Sequence, residues 1–225
     1  KNRYPTPRKT EISTDYADIG EADLIEREDV VISMTHLGYI KRLSTKECRA
    51  QRRGGKGVTA HKPKDEDFVE NMFVCSSHDY IMAFTNLGRV YRLKAYELPE
   101  GTRTSKGMNV INILPLQADE KVTMILPCPK SDEKQYVCMG TKAGVIKRTE
   151  LDDFKNVRKT GIIALSLDDG DELRFVALTN GEKTLLVATK DGKAIRFDEN
   201  DARAMGRTAR GVRAIRLADG DEVVS

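Results

Sequence analysis

Tyr80-Ile81-Met82-Ala83-Phe84-Thr85-Asn86-Leu87-Gly88-Arg89-Val90-Tyr91-Arg92-Leu93 sets two short β-rich runs on either side of an Asn-Leu-Gly turn. A period close to two, broken by a glycine-bearing turn, reads as a β-hairpin. The same arrangement recurs around Thr35-His36-Leu37-Gly38, Thr141-Lys142-Ala143-Gly144 and Thr189-Lys190-Asp191-Gly192. The four glycines lie 50, 56 and 48 residues apart, and an arginine follows each by four positions: Arg42, Arg92, Arg148 and Arg196.

Two further landmarks follow every hairpin. One is a glycine with an apolar successor, Gly57-Val58, Gly107-Met108, Gly161-Ile162 and Gly211-Val212, placed 19, 19, 17 and 19 residues after the first glycine. The other is an acidic pair, Glu66-Asp67, Asp119-Glu120, Asp171-Glu172 and Asp221-Glu222. Three landmarks in one order, four times over, define a repeat protein. Each unit has room for four strands: two around the Thr-x-x-Gly turn, one after the second glycine and one after the acidic pair. Four-stranded units of about fifty residues suit propeller blades. The chain has no Trp, which excludes a WD40 propeller, and its one Gly-Gly pair, Gly54-Gly55, is too few for kelch.

The bulk composition agrees with a folded β protein. Of 225 residues 39% are hydrophobic and 32% charged, with a net charge of +3, which argues against disorder of the whole. No apolar run is long enough to span a membrane, and Lys1-Asn2-Arg3-Tyr4-Pro5 has no signal-peptide core. Cys48, Cys75, Cys128 and Cys138 show no C-x-x-C spacing; buried, reduced thiols are expected, as in a cytoplasmic protein. Residues 1–29 differ from the rest, with six acids against one Arg between Asp18 and Asp29. They read as a connector with at most a short helix near Ala22–Glu26, leaving residues 30–225 for the repeats.

Charge is unevenly placed. Windows 36–64, 85–108, 141–161 and 189–216 carry +8, +3, +3 and +4, together +18, so the remainder carries −15. Equivalent positions in repeats occupy equivalent places in space. The basic halves should therefore form a stripe, the electrostatic footprint of a polyanion. Aromatics are few, at 6%, and not interleaved with the basic runs, which favours duplex phosphates over stacked single strands.

The most unusual stretch is Gln51-Arg52-Arg53-Gly54-Gly55-Lys56-Gly57. Its glycines allow close approach of backbone N–H groups to an anion, beside two Arg and one Lys. It is not a Walker A loop. Gly55–Ala60 fits a G-x-G-x-x-A pattern, but Lys62-Pro63 follows where the helix of a dinucleotide site should run. His36, His61 and His78 have no defensible triad or metal spacing, and no Tyr sits in a pattern suggesting a DNA-linking nucleophile. Catalysis by this domain alone is not expected.

This heptad, followed by Val58-Thr59-Ala60, resembles the GyrA box, the signature of the DNA gyrase A C-terminal domain family. Arg8–Ile12, Glu28–Val31, Gly38–Lys41, Gly88–Tyr91, Leu114–Leu116 and Arg203–Gly206 also resemble segments of that family, over nearly the whole chain. The resemblance implies a mainly β fold, a β-pinwheel whose four-stranded blades exchange strands, usually six in the family. Four full repeats are visible here, an apparent truncation. It also implies wrapping of duplex DNA on a basic rim, so that gyrase introduces negative supercoils. The expected partners are duplex DNA, the rest of the gyrase A protein, including an upstream breakage-reunion core, and the gyrase B protein in an A2B2 complex without a membrane. The domain needs no cofactor of its own, and the holoenzyme uses ATP and Mg. The residues expected on DNA are Gln51, Arg52, Arg53, Gly54, Gly55, Lys56 and Gly57 of the box. Arg103, Lys106, Arg158, Lys159, Arg207 and Arg210 stand in the matching loops, with Lys41, Arg42, Arg92, Lys147, Arg148 and Arg196 flanking the path. Three other readings stay open: a topoisomerase IV C-terminal domain, disfavoured by the intact box, a propeller-type protein scaffold and a freestanding gyrase-like DNA-binding homologue.

Overall fold

The computed structural model describes residues 21–47, 67–128 and 133–225. The first unit contributes strands β1 (Asp29–Thr35), β2 (Tyr39–Ser44) and β3 (Val69–Ser76). The second contributes β4 (Tyr80–Thr85), β5 (Arg89–Lys94), the short β6 (Met108–Asn109) and β7 (Val122–Cys128). The third contributes β8 (Tyr136–Thr141), β9 (Val145–Glu150), the short β10 (Ile162–Ile163) and β11 (Leu173–Thr179). The fourth contributes β12 (Thr184–Ala188), β13 (Ala194–Asp198) and the short β14 (Val212–Arg213). The helical elements among the described residues are short 3-10 turns, one of them at Glu21–Leu24 in the acidic connector.

The Thr and Gly of the repeated turn have a common chemistry. Gly38, Gly88, Gly144 and Gly192 all take positive φ, between 70° and 84°, where a side chain would be strained. Each glycine N–H returns to the carbonyl of the Thr three residues earlier. The Thr hydroxyl accepts the next N–H, from Tyr39, Arg89, Val145 or Lys193. The acidic pair closes the turn from outside. Asp67, Asp171 and Asp221 accept the N–H of Leu37, Ala143 and Asp191 at 2.8–3.0 Å. In the second unit Asn86 replaces that contact, while Glu120 accepts the Thr85 hydroxyl at 2.7 Å.

The second glycine does something different. The strand that follows it leaves its own unit and pairs with the outer strand of the unit before. β6 pairs with β2 (Ile40↔Met108), β10 with β5 (Val90↔Ile162) and β14 with β9 (Ile146↔Val212). The resulting sheets have the orders β3-β1-β2-β6, β10-β5-β4-β7 and β11-β8-β9-β14, all antiparallel, and β12–β13 stands as a two-stranded sheet. Among the described residues the second and third units thus show the four strands expected of each, and the second, third and fourth each donate one to the unit before. This is the strand exchange of a pinwheel.

Alternation buries both faces of the middle strands. Ile81 and Ala83 of β4 pack towards the first unit with Val30, Ile32 and Met34. Met82 and Phe84 pack towards the third with Val137 and Met139. A smaller cluster of Cys138, Ile146 and Ala202 joins the third unit to the fourth. Cys75 and Cys138 are free and buried, and burial pushes their thiols up to about 11 and about 12.

Candidate nucleic-acid interface

Each donated strand is preceded by a loop that lies over the outer strand of the previous unit. In the second unit the chain first pairs at Arg42, where the Arg42 N–H donates to Pro99 and the Gly101 N–H to the Arg42 carbonyl. It rejoins the same strand at Met108 opposite Ile40. Residues 102–106 therefore arch over Lys41. The fourth unit repeats this with residues 206–210 over Lys147, pairing first at Arg148. In the third, residues 155–160 lie over Tyr91, held at one end by the Arg92 side chain on the Lys155 carbonyl and at the other by Ile162 opposite Val90. Gly107, Gly161 and Gly211 end the arches at positive φ, and a Cβ there would lie 2.5–2.7 Å from Ile40, Tyr91 or Ile146. Close approach to the strand below explains the second glycine of the repeat.

The arches carry the cations. Arg103, Arg158, Lys159 and Arg210 are exposed, while Lys106 and Arg207 are half-buried. Lys106 rests its ammonium 3.5 Å from the centre of the Tyr39 ring, and Arg210 pairs with Asp168 at 2.6 Å. The backbone N–H groups of Arg103, Thr104 and Lys106 donate to none of the described residues, nor do those of Arg158, Lys159 and Thr160, or of Arg207, Thr208 and Arg210. Three arches in one register thus present cationic side chains and unengaged N–H groups, the two kinds of donor a phosphate accepts. The box, Gln51, Arg52, Arg53, Gly54, Gly55, Lys56 and Gly57, lies outside the described residues, as does Cys48.

The flanking set lies elsewhere than its charge suggests. Lys41 and Lys147 are both 0% exposed. The Lys41 ammonium donates to the carbonyls of Thr102, Arg103 and Ser105 at 2.8–3.1 Å. Lys147 donates to the carbonyls of Ala164 and Arg207; burial, with Arg207 nearby, pushes its ammonium down to about 8. Arg42 reaches the Leu98 carbonyl and Glu100, and Arg92 reaches the Lys155 carbonyl from a position over the Tyr80 ring. Arg148 is buried against Glu199 and Asn200. These five side chains join each unit to the next; Lys41, Lys147 and Arg148 are buried within the fold, so the expectation of an open DNA path is corrected for them, while Arg42 and Arg92 are half-buried at the junctions. Arg196, on the last outer strand, is exposed. The connector meets the first unit where Lys46 pairs with Glu26 and Glu28, and His78 with the Ile25 carbonyl.

The roles of Lys41 and Lys147 are invisible in strand alternation, because a lysine on an outer strand reads as solvent-facing until the next unit's arch covers it. One signal was present. Arg103-Thr104-Ser105-Lys106-Gly107 and Arg207-Thr208-Ala209-Arg210-Gly211 share one pattern over a lysine, whereas Arg158-Lys159-Thr160-Gly161, without it, lies over Tyr91.

Among the described residues no helix is long and apolar enough to cross a membrane, and no group of three or more His, Cys, Asp or Glu could hold a metal. The family described as DNA gyrase C-terminal domain, beta-propeller, matches four segments, 29–76, 79–129, 135–180 and 183–225, one for each unit. The chain is 46% identical over 223 residues to the DNA gyrase A protein of Escherichia coli K12, covering 99% of this chain and 26% of that protein. It is 47% identical over 215 residues to the DNA gyrase A protein of Halalkalibacterium halodurans, covering 96% and 26%. It therefore spans about a quarter of the length of these curated relatives. Among solved structures, a DNA topoisomerase IV C-terminal domain superposes with TM-score 0.74 at 28% identity, over 89% of this chain and 61% of that one. A DNA gyrase A C-terminal domain superposes with TM-score 0.66 at 29% identity, over 88% and 64%. Four family segments coinciding with four strand-exchanging units, and gyrase A relatives along the whole sequence, place this chain in the DNA gyrase A C-terminal domain family.

Proposed function

We propose that this domain binds duplex DNA along its arches without reading sequence, and that within a gyrase A protein it wraps DNA so that strand passage introduces negative supercoils. The observation that carries this reading is the common register of the arches. Three successive units lay Arg- and Lys-bearing loops over equivalent strands, opposite Ile40, Val90 and Ile146. Arg103, Lys106, Arg158, Lys159, Arg207 and Arg210 supply phosphate donors in this reading. The box residues Arg52, Arg53 and Lys56 stand at the matching place in the first unit's sequence and extend the path. Bending 20–30 bp by 40–90° costs on the order of 1–6 kcal/mol, so a wrap needs contacts from several units rather than one box.

In this reading the working enzyme is a cytoplasmic type II topoisomerase in which this domain joins the rest of the gyrase A protein and the gyrase B protein. In this reading ATP, Mg and strand cleavage belong to those other parts. The test replaces Arg52, Arg53 and Lys56 by Ala in the full-length gyrase A protein. DNA binding and supercoiling should fall sharply while cleavage survives; unchanged binding and supercoiling would overturn the box's role. A protein scaffold would instead show salt-insensitive affinity for a protein and none for DNA.

A further inference from the structure

The buried lysines are the least expected chemistry in the molecule. An ammonium without water is costly unless it is well hydrogen-bonded. Lys41 meets that need with three carbonyls of a single arch, Thr102, Arg103 and Ser105. Both ends of the arch are glycines pressed against it: a Cβ on Gly101 would lie 3.0 Å from Lys41 Cδ, and one on Gly107 3.1 Å from its Cβ. The loop and the lysine are shaped for each other.

We infer that Lys41 and Lys147 are positioning residues for the phosphate contacts of the rim, Lys41 drawing in three carbonyl oxygens of the arch above it and Lys147 the Arg207 carbonyl of its own, so that the arch's N–H groups and cationic side chains remain available to DNA. The inference rests on the DNA-binding reading above. A carbonyl turned towards a buried cation is removed from the surface, where its negative end would repel a phosphate. With three of the five arch carbonyls turned inward, the arch keeps outward the N–H groups of Arg103, Thr104 and Lys106 and the side chains of Arg103 and Lys106. In the fourth unit Lys147 takes the Arg207 carbonyl while Ser166 takes those of Thr208 and Ala209, and the N–H groups of Arg207, Thr208 and Arg210 again donate to none of the described residues.

The second and third units supply an internal comparison. Tyr91 replaces the lysine there, and its hydroxyl turns to Glu120 and the Pro115 carbonyl, at 2.8 and 3.3 Å, rather than to the arch. The arch above it has a different sequence, and its Thr160 carbonyl accepts from Arg89 at 2.8 Å instead. Lysine beneath goes with Arg-Thr-x-Lys/Arg-Gly above; tyrosine beneath goes with another loop. A lysine serving the core alone would not need to covary with the loop.

The test uses the 225-residue chain and a mixed-sequence linear duplex. Binding is measured against salt for wild type, Lys41→Met, Lys147→Met, the Arg103→Ala/Lys106→Ala pair and Ile32→Val, a core change that touches no arch. Thermal melts identify folded variants, and Lys41→Gln and Lys147→Gln, which keep a donor, stand in if the Met variants unfold. Each released phosphate contact lowers the log–log salt slope by about one and weakens binding about tenfold near 0.1 M salt. The lysine variants should lose about one to two units of slope, as should the Arg103/Lys106 pair, while Ile32→Val keeps the wild-type slope. Wild-type slopes in both lysine variants, with a reduced slope in the Arg103/Lys106 pair, would overturn the inference and leave the DNA reading intact. A wild-type chain that does not bind DNA would remove the DNA reading itself and this inference with it.

Discussion

Arg148 and Glu199 form an ion pair at 3.3 Å with side chains 7% and 0% exposed, one on β9 and the other on the 3-10 turn of the next unit. Glu199 also accepts the Lys183 N–H at 2.7 Å. Breaking a buried pair leaves an uncompensated charge, so Glu199→Ala should cost about 3–5 kcal/mol in urea unfolding. Burial opposes the Glu199 charge, but Thr179, the Lys183 N–H and Arg148 together hold its carboxyl below the usual carboxylate range. Desolvation opposes the Asp221 charge too, and the Asp191 N–H, the Thr189 hydroxyl and the Glu222 N–H hold that carboxyl low by donating to it. Because these native pKa values are depressed, the unfolded chain binds more protons in acid. The stability they supply is complete above about pH 5 and lost as pH falls through the native values. Glu199→Gln should be less stable than wild type at neutral pH and lose less on acidification, read from unfolding midpoints at both pH values. The thiols make a simpler test. With their pKa values pushed up by burial, Cys75 and Cys138 should resist a thiol reagent until the chain is unfolded, checked by mapping labelled cysteines.

The donated strands are only two residues long, so their hold depends on what surrounds them. Gly161 shows this most sharply: its φ is +74°, and a Cβ would lie 2.7 Å from the Tyr91 ring. Gly161→Ala should destabilise the domain by more than about 1 kcal/mol, because it adds backbone strain to a clash with a buried ring. Gly170→Ala, also at positive φ but with open space around its Cβ position, should cost less. Denaturant midpoints of the two variants check this difference. The hairpins were legible in the sequence because Thr, Gly and the acidic pair each satisfy a local requirement of one turn. The residues that exchange strands were legible as landmarks, but their destination was not. Met108 pairs with Ile40 across 68 positions, and alternation of apolar residues reads the same whichever sheet receives the strand. The burial of Lys41, Lys147 and Arg148 was hidden for the same reason, since only the following unit's loop decides whether an outer strand is exposed.

Across the whole molecule, the near-neutral sum of +3 conceals a division of labour. Part of the basic charge binds unit to unit inside the fold, and the remainder stands on the arches, while several of the acids close turns. The repeat organisation, the β class and the arch cations could be read from spacing. The split between internal and external cations needed the structure. In the reading proposed here, the arches of successive units guide one DNA segment around the domain rather than binding separate ones. The most direct measurement is to bind the chain to nicked plasmid, ligate, remove the protein and count linking number. The expected result is a shift of one sign that grows with protein and disappears at high salt. A linking number unchanged under conditions where the plasmid is demonstrably bound would contradict wrapping.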